Sequence, residues 1–229
     1  MICIDWRQIE QDLDARGWAV VKGLLTVAQC VDVAMLFDDG KIFRSHVHMA
    51  RHGFGRGEYK YFSYPLPSLI AGLRTNLYPH LSGIANRWNI AMGFDVHYPA
   101  TYAEYRQQCL DAGQARPTPL VLKYGPGDYN RLHQDLYGEL VFPLQLTVLL
   151  SNPETDFTGG EFVLTEQQAR MQSRPTVVPL RQGDGVIFAV RQRPMQSARG
   201  FARVNIRHGV SEIRTGSRHA LGIIFHDAT

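Results

Sequence analysis

The sequence predicts an α+β, mainly β fold: a double-stranded β-helix, or jelly roll, with a helical N-terminal half packed against it. From Pro117 onward the chain breaks into short segments rich in β-branched and aromatic residues. Turn sequences with glycine, proline and asparagine separate these segments. Before residue 115 the apolar residues instead recur at helical spacing. Many short strands are typical of sandwiches and barrels, and a double-sheet jelly roll is one way to close them.

The N-terminal half contains segments with the apolar spacing of helices, and these are residues 6–18, 27–37 and 73–92. Gly17 is expected to stop the first helix, and Thr26 is expected to cap the second. Pro79 is expected to kink or divide the third helix. Between the last two lies RHGFGRGEYKYFSYPLP, whose composition predicts a loop with a short strand.

The C-terminal half contains segments that we predict as strands, at residues 120–124, 140–150, 161–164, 176–180, 186–190, 203–207 and 220–225. The sequences GPGD, SNPETDFTGG, RQGDG and RTGS supply turns between them. We therefore predict one domain, with a helical region over residues 1–115 and a jelly-roll core over residues 116–229.

The bulk composition is that of an ordinary globular protein, with 45% hydrophobic and 20% charged residues in 229. The cysteines Cys3, Cys30 and Cys109 lie far apart, which favours structural thiols in a reducing compartment. The early charges at the N-terminus and the lack of a long apolar run predict a cytoplasmic protein without a membrane partner. A net charge of +3 permits an anionic substrate without requiring one.

The segment LKYGPGDYNRLHQDLYGE contains the most informative pair of residues. His133 and Asp135 are two positions apart, so on an extended strand both side chains leave the same face. The segment RVNIRHGVSEI supplies a third ligand, His208. Two histidines and one carboxylate on one face of an ion leave three positions open, as in non-haem iron(II) oxygenases. Zinc is the competing metal for the same ligands.

Arg218 stands ten residues after His208 and begins the strand sequence RHALGIIF. A guanidinium presents a planar fork of donors that matches a carboxylate in a bidentate manner. A dicarboxylate such as 2-oxoglutarate needs such a group at its far end. Zinc would not explain this arginine, so the combination favours iron(II) with 2-oxoglutarate.

These motifs resemble the iron(II)- and 2-oxoglutarate-dependent dioxygenase superfamily over about residues 118–227. The resemblance rests on YGPGDYNRLHQD, DFTGGEF, GDGVIF and RHGVSEIRTGSRHALGIIF. With the N-terminal half included, the chain looks like a bacterial family of such oxygenases with a predicted role on damaged DNA. The resemblance implies iron(II) on His133, Asp135 and His208, and 2-oxoglutarate on Arg218. It also implies hydroxylation of a C–H bond by O2, with release of succinate and CO2.

Two further residues are candidates for contact with the co-substrate. Tyr124 lies nine residues before His133, the spacing of a co-substrate tyrosine in the AlkB-like nucleic-acid repair dioxygenases. The alternative for Tyr124 is an aromatic residue of the core. Thr147, on the following strand, is a candidate for the co-substrate carboxylate, and the alternative is an ordinary β-forming residue.

The motifs point to two different classes of substrate. AlkB-like enzymes have a second arginine six residues after the first, where this chain has Ile224. The ten-residue spacing from His208 to Arg218 and the GGEF turn resemble the prolyl-4-hydroxylase-like branch, whereas HQD resembles the AlkB-like branch. The hypotheses are demethylation of damaged nucleic acid, hydroxylation of a protein side chain or small metabolite, and a non-enzymatic, cupin-like metal-binding module.

Basic residues support the nucleic-acid hypothesis. An aromatic, basic loop comprises Arg51, Arg56, Lys60 and Tyr61, and the alternative is an ordinary solvated loop packed by its tyrosines. A second basic cluster, near the expected mouth of the site, comprises Arg191, Arg193 and Arg199. A separate metal site in SHVHMARH, from His46, His48 and His52, is a further hypothesis, with exposed surface histidines as the favoured interpretation.

Overall fold

The computed structural model describes residues 4–153, 155–198 and 200–229. Cys3 and Arg199 lie outside the described residues. Cys30 and Cys109 are buried, and neither forms a disulfide within the described part of the chain. None of the helices in that part combines the length and the apolarity needed to cross a bilayer.

The helices are α1 (Trp6–Arg16), α2 (Val27–Met35), α3 (Ser68–Met92) and α4 (Tyr102–Asp111). Gly17 ends α1 in the left-handed conformation, with φ of 76°, and its N–H bonds to the carbonyl of Leu13. Thr26 caps α2 and exchanges hydrogen bonds with Gln29 in a capping box. The predicted stop at Gly17 is confirmed, and Trp18, which shares the apolar spacing of the helix, begins a strand instead.

The third helix begins earlier than its apolar pattern indicated and passes through Pro79 without dividing. Its length is explained by burial, because α3 packs against several elements. The side chain of Trp88 donates to Asp14 at 2.7 Å, and Arg74 forms a buried ion pair with Asp227 at 2.8 Å. Tertiary contacts therefore outweigh the local cost of the proline.

The strands follow in chain order. They are β1 (Trp18–Val21), β2 (Phe43–His48), β3 (Gly55–Arg56), β4 (Glu58–Phe62), β5 (Leu120–Tyr124), β6 (Tyr129–His133), β7 (Leu144–Leu149), β8 (Phe157–Gly159), β9 (Phe162–Gln167), β10 (Arg174–Val178), β11 (Gly185–Ala189), β12 (Gln192–Ser197), β13 (Gly200–Val210), β14 (Ile213–Gly216) and β15 (Arg218–Ile223). Each predicted strand overlaps one of these.

The strands form two main antiparallel sheets. A seven-stranded sheet has the order β1-β11-β7-β15-β5-β4-β2, and a six-stranded sheet has the order β10-β9-β13-β6-β3, with β12 also paired to β13. The strands β8 and β14 form a separate pair. The sheets meet through aromatic side chains, since the rings of Phe162 on β9 and Phe188 on β11 lie 5.2 Å apart. This is the mainly β, double-sheet architecture that the sequence predicted.

The N-terminal half adds strands as well as helices to this architecture. The strand β1 pairs with β11 at one end of the seven-stranded sheet, and β2 and β4 extend the other end beyond β5. The two-residue strand β3 pairs with β6 in the other sheet. The boundary near residue 115 stays a prediction.

Candidate metal centre

The two histidines of the predicted triad face each other across a strand pair. His133 is the last residue of β6, His208 lies on β13, and the register places them directly opposite one another. Their ring centroids are 4.2 Å apart. Opposite residues of an antiparallel pair project to the same face, so both imidazoles point into the space between the sheets.

Asp135 completes a compact group with these two imidazoles. Its Oδ1 lies 3.5 Å from Nε2 of His133, and its Oδ2 lies 3.4 Å from Nε2 of His208. All three ligand atoms lie within 4.8 Å of one another. Metal–nitrogen bonds of about 2 Å place ligands on one face of an ion about 3 Å apart. A small contraction therefore brings this set onto one ion, and the residues fit an iron(II) site.

The electrostatics favour the metal-binding states of Asp135 and His208. Burial opposes the charge of Asp135, but hydrogen bonding to both histidines outweighs it and holds the pKa of the carboxyl well below its usual value. Burial, together with the charge of His133, lowers the pKa of His208. An anionic carboxylate and a neutral imidazole are ligand forms for divalent metals.

The carboxylate is held by neighbours that the sequence did not identify. The hydroxyl of Tyr137 donates to Oδ1 of Asp135 at 2.8 Å, and Nε2 of Gln145 donates to Oδ2 at 2.8 Å. The hydroxyl of Tyr61 donates to that of Tyr137 at 2.9 Å. Tyr137 lies two residues beyond Asp135, so strand alternation was its only sequence signal. Such neighbours fix the orientation of a ligand.

The Nδ1 atoms of the two histidines have different surroundings. Nδ1 of His133 donates to the carbonyl of Arg131 at 2.7 Å, so in the neutral ring Nε2 carries the lone pair that can bind a metal. Burial opposes protonation of His133, but Asp135 raises the pKa of this imidazole. Nδ1 of His208 is buried and has no partner among the described residues.

Arg218 lies on the facing sheet, at the start of β15 and opposite Tyr124 on β5. Only 1% of Arg218 is exposed, and its Nε and Nη1 have no hydrogen-bond partner among the described residues. The guanidinium carbon lies 5.6 Å from the centroid of the Tyr124 ring and 5.8 Å from that of Phe157. Burial lowers the pKa of Arg218. Two orphaned donors in a buried cation indicate a missing anionic partner.

A cavity of about 400 Å³ joins the two sides of the site. It is lined by the triad from the six-stranded side and by Arg218, Tyr124 and Thr147 from the seven-stranded side. Thr147 is 7% exposed, and the hydroxyl of Tyr124 accepts a 3.4 Å hydrogen bond from Asn130. The fold thus brings all the predicted site residues to one cavity. Their individual roles remain predictions.

The basic loop is divided between two faces of β4. Tyr61 lines the cavity, as does Phe54 in the turn before β3. Lys60 points to the other face, where its Nζ donates to the carbonyl of Phe37 at 2.7 Å. Arg51 and Arg56 are exposed in the same segment as Phe54.

Of the second basic cluster, the two members that the structure describes, Arg191 and Arg193, do not line the cavity as predicted. Arg193 is buried, and its Nη2 lies 2.5 Å from Glu166 in an ion pair. Its neighbour Arg191 is exposed. The ion pair with Glu166 on β9 therefore holds the charge of Arg193 away from the surface.

A family model and a mycobacterial protein each match most of this chain. Residues 57–228 match a family model described as an oxygenase catalysing oxidative methylation of damaged DNA. An uncharacterized protein of Mycobacterium tuberculosis strain H37Rv is 51% identical over 167 residues, which cover 73% of this chain and 72% of that protein.

Solved structures resemble the fold at low sequence identity. A prolyl hydroxylase from Trichoplax adhaerens, in complex with a hypoxia-inducible factor peptide, has a TM-score of 0.57 and 14% identity, covering 97% of this chain and 89% of that one. An oxidoreductase of the 2-oxoglutarate–iron(II) oxygenase family from Burkholderia pseudomallei has a TM-score of 0.53 and 14% identity, covering 100% and 96%. A prolyl-4-hydroxylase from Pseudomonas putida has a TM-score of 0.51 and 16% identity, covering 95% and 96%.

Proposed function

Because the chain belongs to the oxygenase family whose model it matches over residues 57–228, we propose that it is an iron(II)- and 2-oxoglutarate-dependent dioxygenase. It hydroxylates a substrate C–H bond and releases succinate and CO2. His133, Asp135 and His208 hold the iron. Arg218 binds the distal carboxylate of 2-oxoglutarate, and Tyr124 and Thr147 contact the same co-substrate.

The observation that carries this proposal is that Nε and Nη1 of the buried Arg218 have no hydrogen-bond partner among the described residues, on the wall opposite the triad. A buried cation without an anion is strongly unfavourable, so a ligand that enters this cavity gains by supplying a carboxylate. 2-Oxoglutarate has one carboxylate for the arginine and a keto-acid end for a metal. A site that held zinc alone would leave the arginine unexplained.

Iron(II), when bound with 2-oxoglutarate and O2, supplies the oxidising chemistry. The residues of this chain bind and orient the metal and the co-substrate. Tyr137 and Gln145 fix both oxygens of Asp135, which presents the carboxylate to the ion in one orientation. Apolar side chains such as Leu120, Leu122 and Phe162 line the cavity and exclude water from the reacting atoms.

The enzyme class is tested by anaerobic titration of the protein with iron(II) and 2-oxoglutarate. The iron–keto-acid chelate gives a weak visible charge-transfer band. We expect the band in the wild type, its loss in His133→Ala and a weakened affinity for 2-oxoglutarate in Arg218→Ala. Arg214→Ala is the matched control, because 71% of that side chain is exposed on β14, the strand that precedes β15 in the chain. Absence of the band in folded, metal-loaded wild type would support the cupin-like alternative.

We propose an N-methylated base of damaged DNA as the substrate. Hydroxylation of an N-methyl carbon gives an N–CH2OH group, which breaks its C–N bond to release formaldehyde and the free N–H. A base must leave the duplex and stack against side chains to reach such a site. Supporting this, the cavity is lined by Tyr59, Tyr61 and Phe54, and the exposed Arg131 stands at its edge.

The substrate is tested by incubating the iron-loaded protein with methylated single-stranded oligonucleotides and measuring formaldehyde. Formaldehyde that depends on 2-oxoglutarate and disappears in Asp135→Ala supports the proposal. No formaldehyde across N-methyl lesions, from protein that shows the charge-transfer band, would exclude this substrate. A protein side chain or a small metabolite then becomes the leading class, and substrate-stimulated succinate formation identifies it.

A further inference from the structure

A second group of two imidazoles and a carboxylate lies away from the cavity, at the edge of the seven-stranded sheet. His46 and His48 lie on the edge strand β2, and Glu58 lies on its neighbour β4. Nε2 of His46 is 2.5 Å from Oε2 of Glu58, and Nδ1 of His48 is 3.9 Å from the same oxygen. The three ligand atoms lie within 4.8 Å of one another.

The strand register creates this group. His46 and His48 are two apart and project to one face, and Glu58 stands directly opposite His48. The next residue of β4, Tyr59, projects to the other face and lines the cavity. The second group is therefore on the outer face of the sheet, separate from the cavity that holds the triad.

We propose that His46, His48 and Glu58 form a second metal site, which binds a divalent cation of the zinc class. Imidazole nitrogen and carboxylate oxygen are donors for Zn²⁺, Ni²⁺ and Cu²⁺. Zinc bonds of about 2.1 Å place tetrahedral ligands about 3.4 Å apart, which lies between the two measured distances. The side chains are 40%, 46% and 31% exposed, in the order named, so water completes the coordination.

A hydrogen bond alone accounts for only part of this arrangement. It explains the contact of His46 with Glu58, but the 3.9 Å separation of His48 is too long for a hydrogen bond. The two imidazole rings nevertheless lie with their centroids 4.4 Å apart, beside the same carboxylate oxygen. One ion between the three atoms accounts for both contacts.

Nearby positive charge limits the affinity without blocking the site. Lys60 lies opposite His46, and Lys123 lies opposite Glu58 on the next strand. Both ammonium groups are drawn toward Phe37, at 4.5 Å and 5.3 Å from its ring centroid. Lys60 also donates to the carbonyl of Phe37. We therefore expect weaker binding than at a buried four-ligand zinc site.

A bound ion would link β2 to β4, the two strands whose connecting segment forms one rim of the cavity. The chain between β2 and β4 carries Gly53 and Phe54, both of which line the cavity. An ion that joins β2 to β4 on the outer face of the sheet would restrict the motion of this segment and of the edge strand β2.

The test is equilibrium dialysis of the metal-free full chain against Zn²⁺, with bound metal measured by elemental analysis. We expect the double variant His133→Ala/Asp135→Ala to retain one class of bound zinc. Adding His46→Ala and His48→Ala to that background should weaken the remaining binding by about tenfold or more. Glu58→Gln, which retains a hydrogen-bond acceptor for His46, should also weaken it.

The matched control is His52→Ala, because His52 is an exposed imidazole in the same segment that stacks on Phe54 and lies outside the group. It should leave zinc binding unchanged. Circular dichroism shows which variants are folded. Loss of all zinc binding in folded His133→Ala/Asp135→Ala, or residual binding that is indifferent to His46, His48 and Glu58, would overturn the proposal.

Discussion

At the scale of single residues, the three side chains that fit a metal site were predictable from sequence, whereas the side chains that hold Asp135 in place were not. His133, Asp135 and His208 are types that bind metals, at a spacing that strand geometry places on one face. Tyr137 and Gln145 are common residues whose role depends on a distance to Asp135. That distance arises from the packing of the two sheets, which no local pattern encodes.

Tyr137→Phe is expected to weaken iron(II) binding while the fold is kept. The substitution removes the hydroxyl that donates to Oδ1 of Asp135 and leaves the ring in place. Loss of such a neighbour lowers metal affinity by about 10- to 100-fold. Anaerobic iron(II) titration measures the change. Tyr98→Phe is the control, since that hydroxyl donates to the carbonyl of Val141, and equal affinities in the two variants would contradict this role.

His226 is expected to make the fold sensitive to acid. Burial, with the charge of Arg74, lowers the pKa of His226 from 6.5 to about 3. Between about pH 6.5 and pH 3, His226 is therefore protonated in the unfolded chain and neutral in the folded chain. The stability from neutral His226 is fully present above pH 6.5 and is lost as the pH falls toward 3.

Urea unfolding at pH 7 and pH 5 measures this contribution. At pH 5 the wild type should have lost about 2 kcal/mol through His226. His226→Gln should lack that part of the pH dependence, because glutamine does not titrate and still offers an acceptor to the backbone N–H of Phe142. Parallel pH profiles of the two proteins would show that His226 is not the sensitive group.

At the scale of elements, hydrophobic strands and capped helices were predictable, and several polar or short elements were not. The strand β5 matches its prediction, because LVLKY is rich in β-forming residues between turn sequences. The strand β6, YNRLH, is largely polar and has no fully buried residue, so it lacks the pattern, although it carries His133. The helix α4 was missed despite its Thr101–Glu104 capping box, because its apolar residues are few.

Gly209→Ala is expected to disturb the pairing of β13 with β6 beside the metal ligands. A Cβ at this position would lie 2.6 Å from the backbone oxygen of Asn130, where no flexible side chain can move aside. We expect a loss of about 1–3 kcal/mol in the free energy of unfolding, together with weaker iron binding.

Gly83→Ala is the matched control, because Gly83 lies in the interior of α3, is exposed, and has no atom within 4 Å of the added Cβ. It should stabilise the protein by about 0.5–1 kcal/mol through helix propensity. Denaturant unfolding measures both variants. If Gly209→Ala changed neither the free energy of unfolding nor iron binding, β13 and β6 would be able to move apart at this position without affecting the site.

At the scale of the whole molecule, the class of fold was predictable, but the way in which distant segments join was not. The N-terminal half supplies β1, β2 and β4 to the same sheet as Arg218. Tyr59 and Tyr61 thereby become walls of the cavity, although the ligands lie far along the chain. Pairing between distant segments depends on the sum of many contacts, so a single sequence read locally does not reveal it.

The ion pair of Arg74 with Asp227 is expected to be a main link between α3 and the C-terminal segment. Both side chains are almost fully buried, and the guanidinium also donates to the carbonyl of Phe225. Asp227→Asn leaves the cation of Arg74 buried without its counter-charge, which should cost about 3–5 kcal/mol of unfolding free energy. The exposed pairs of Arg87 with Glu10 and Asp14 are the comparison, and Arg87→Ala should cost about 1 kcal/mol or less. Urea unfolding measures both variants. A similar loss of unfolding free energy in the two variants would mean that burial does not strengthen the Arg74–Asp227 pair. Other contacts would then join α3 to the C-terminal segment.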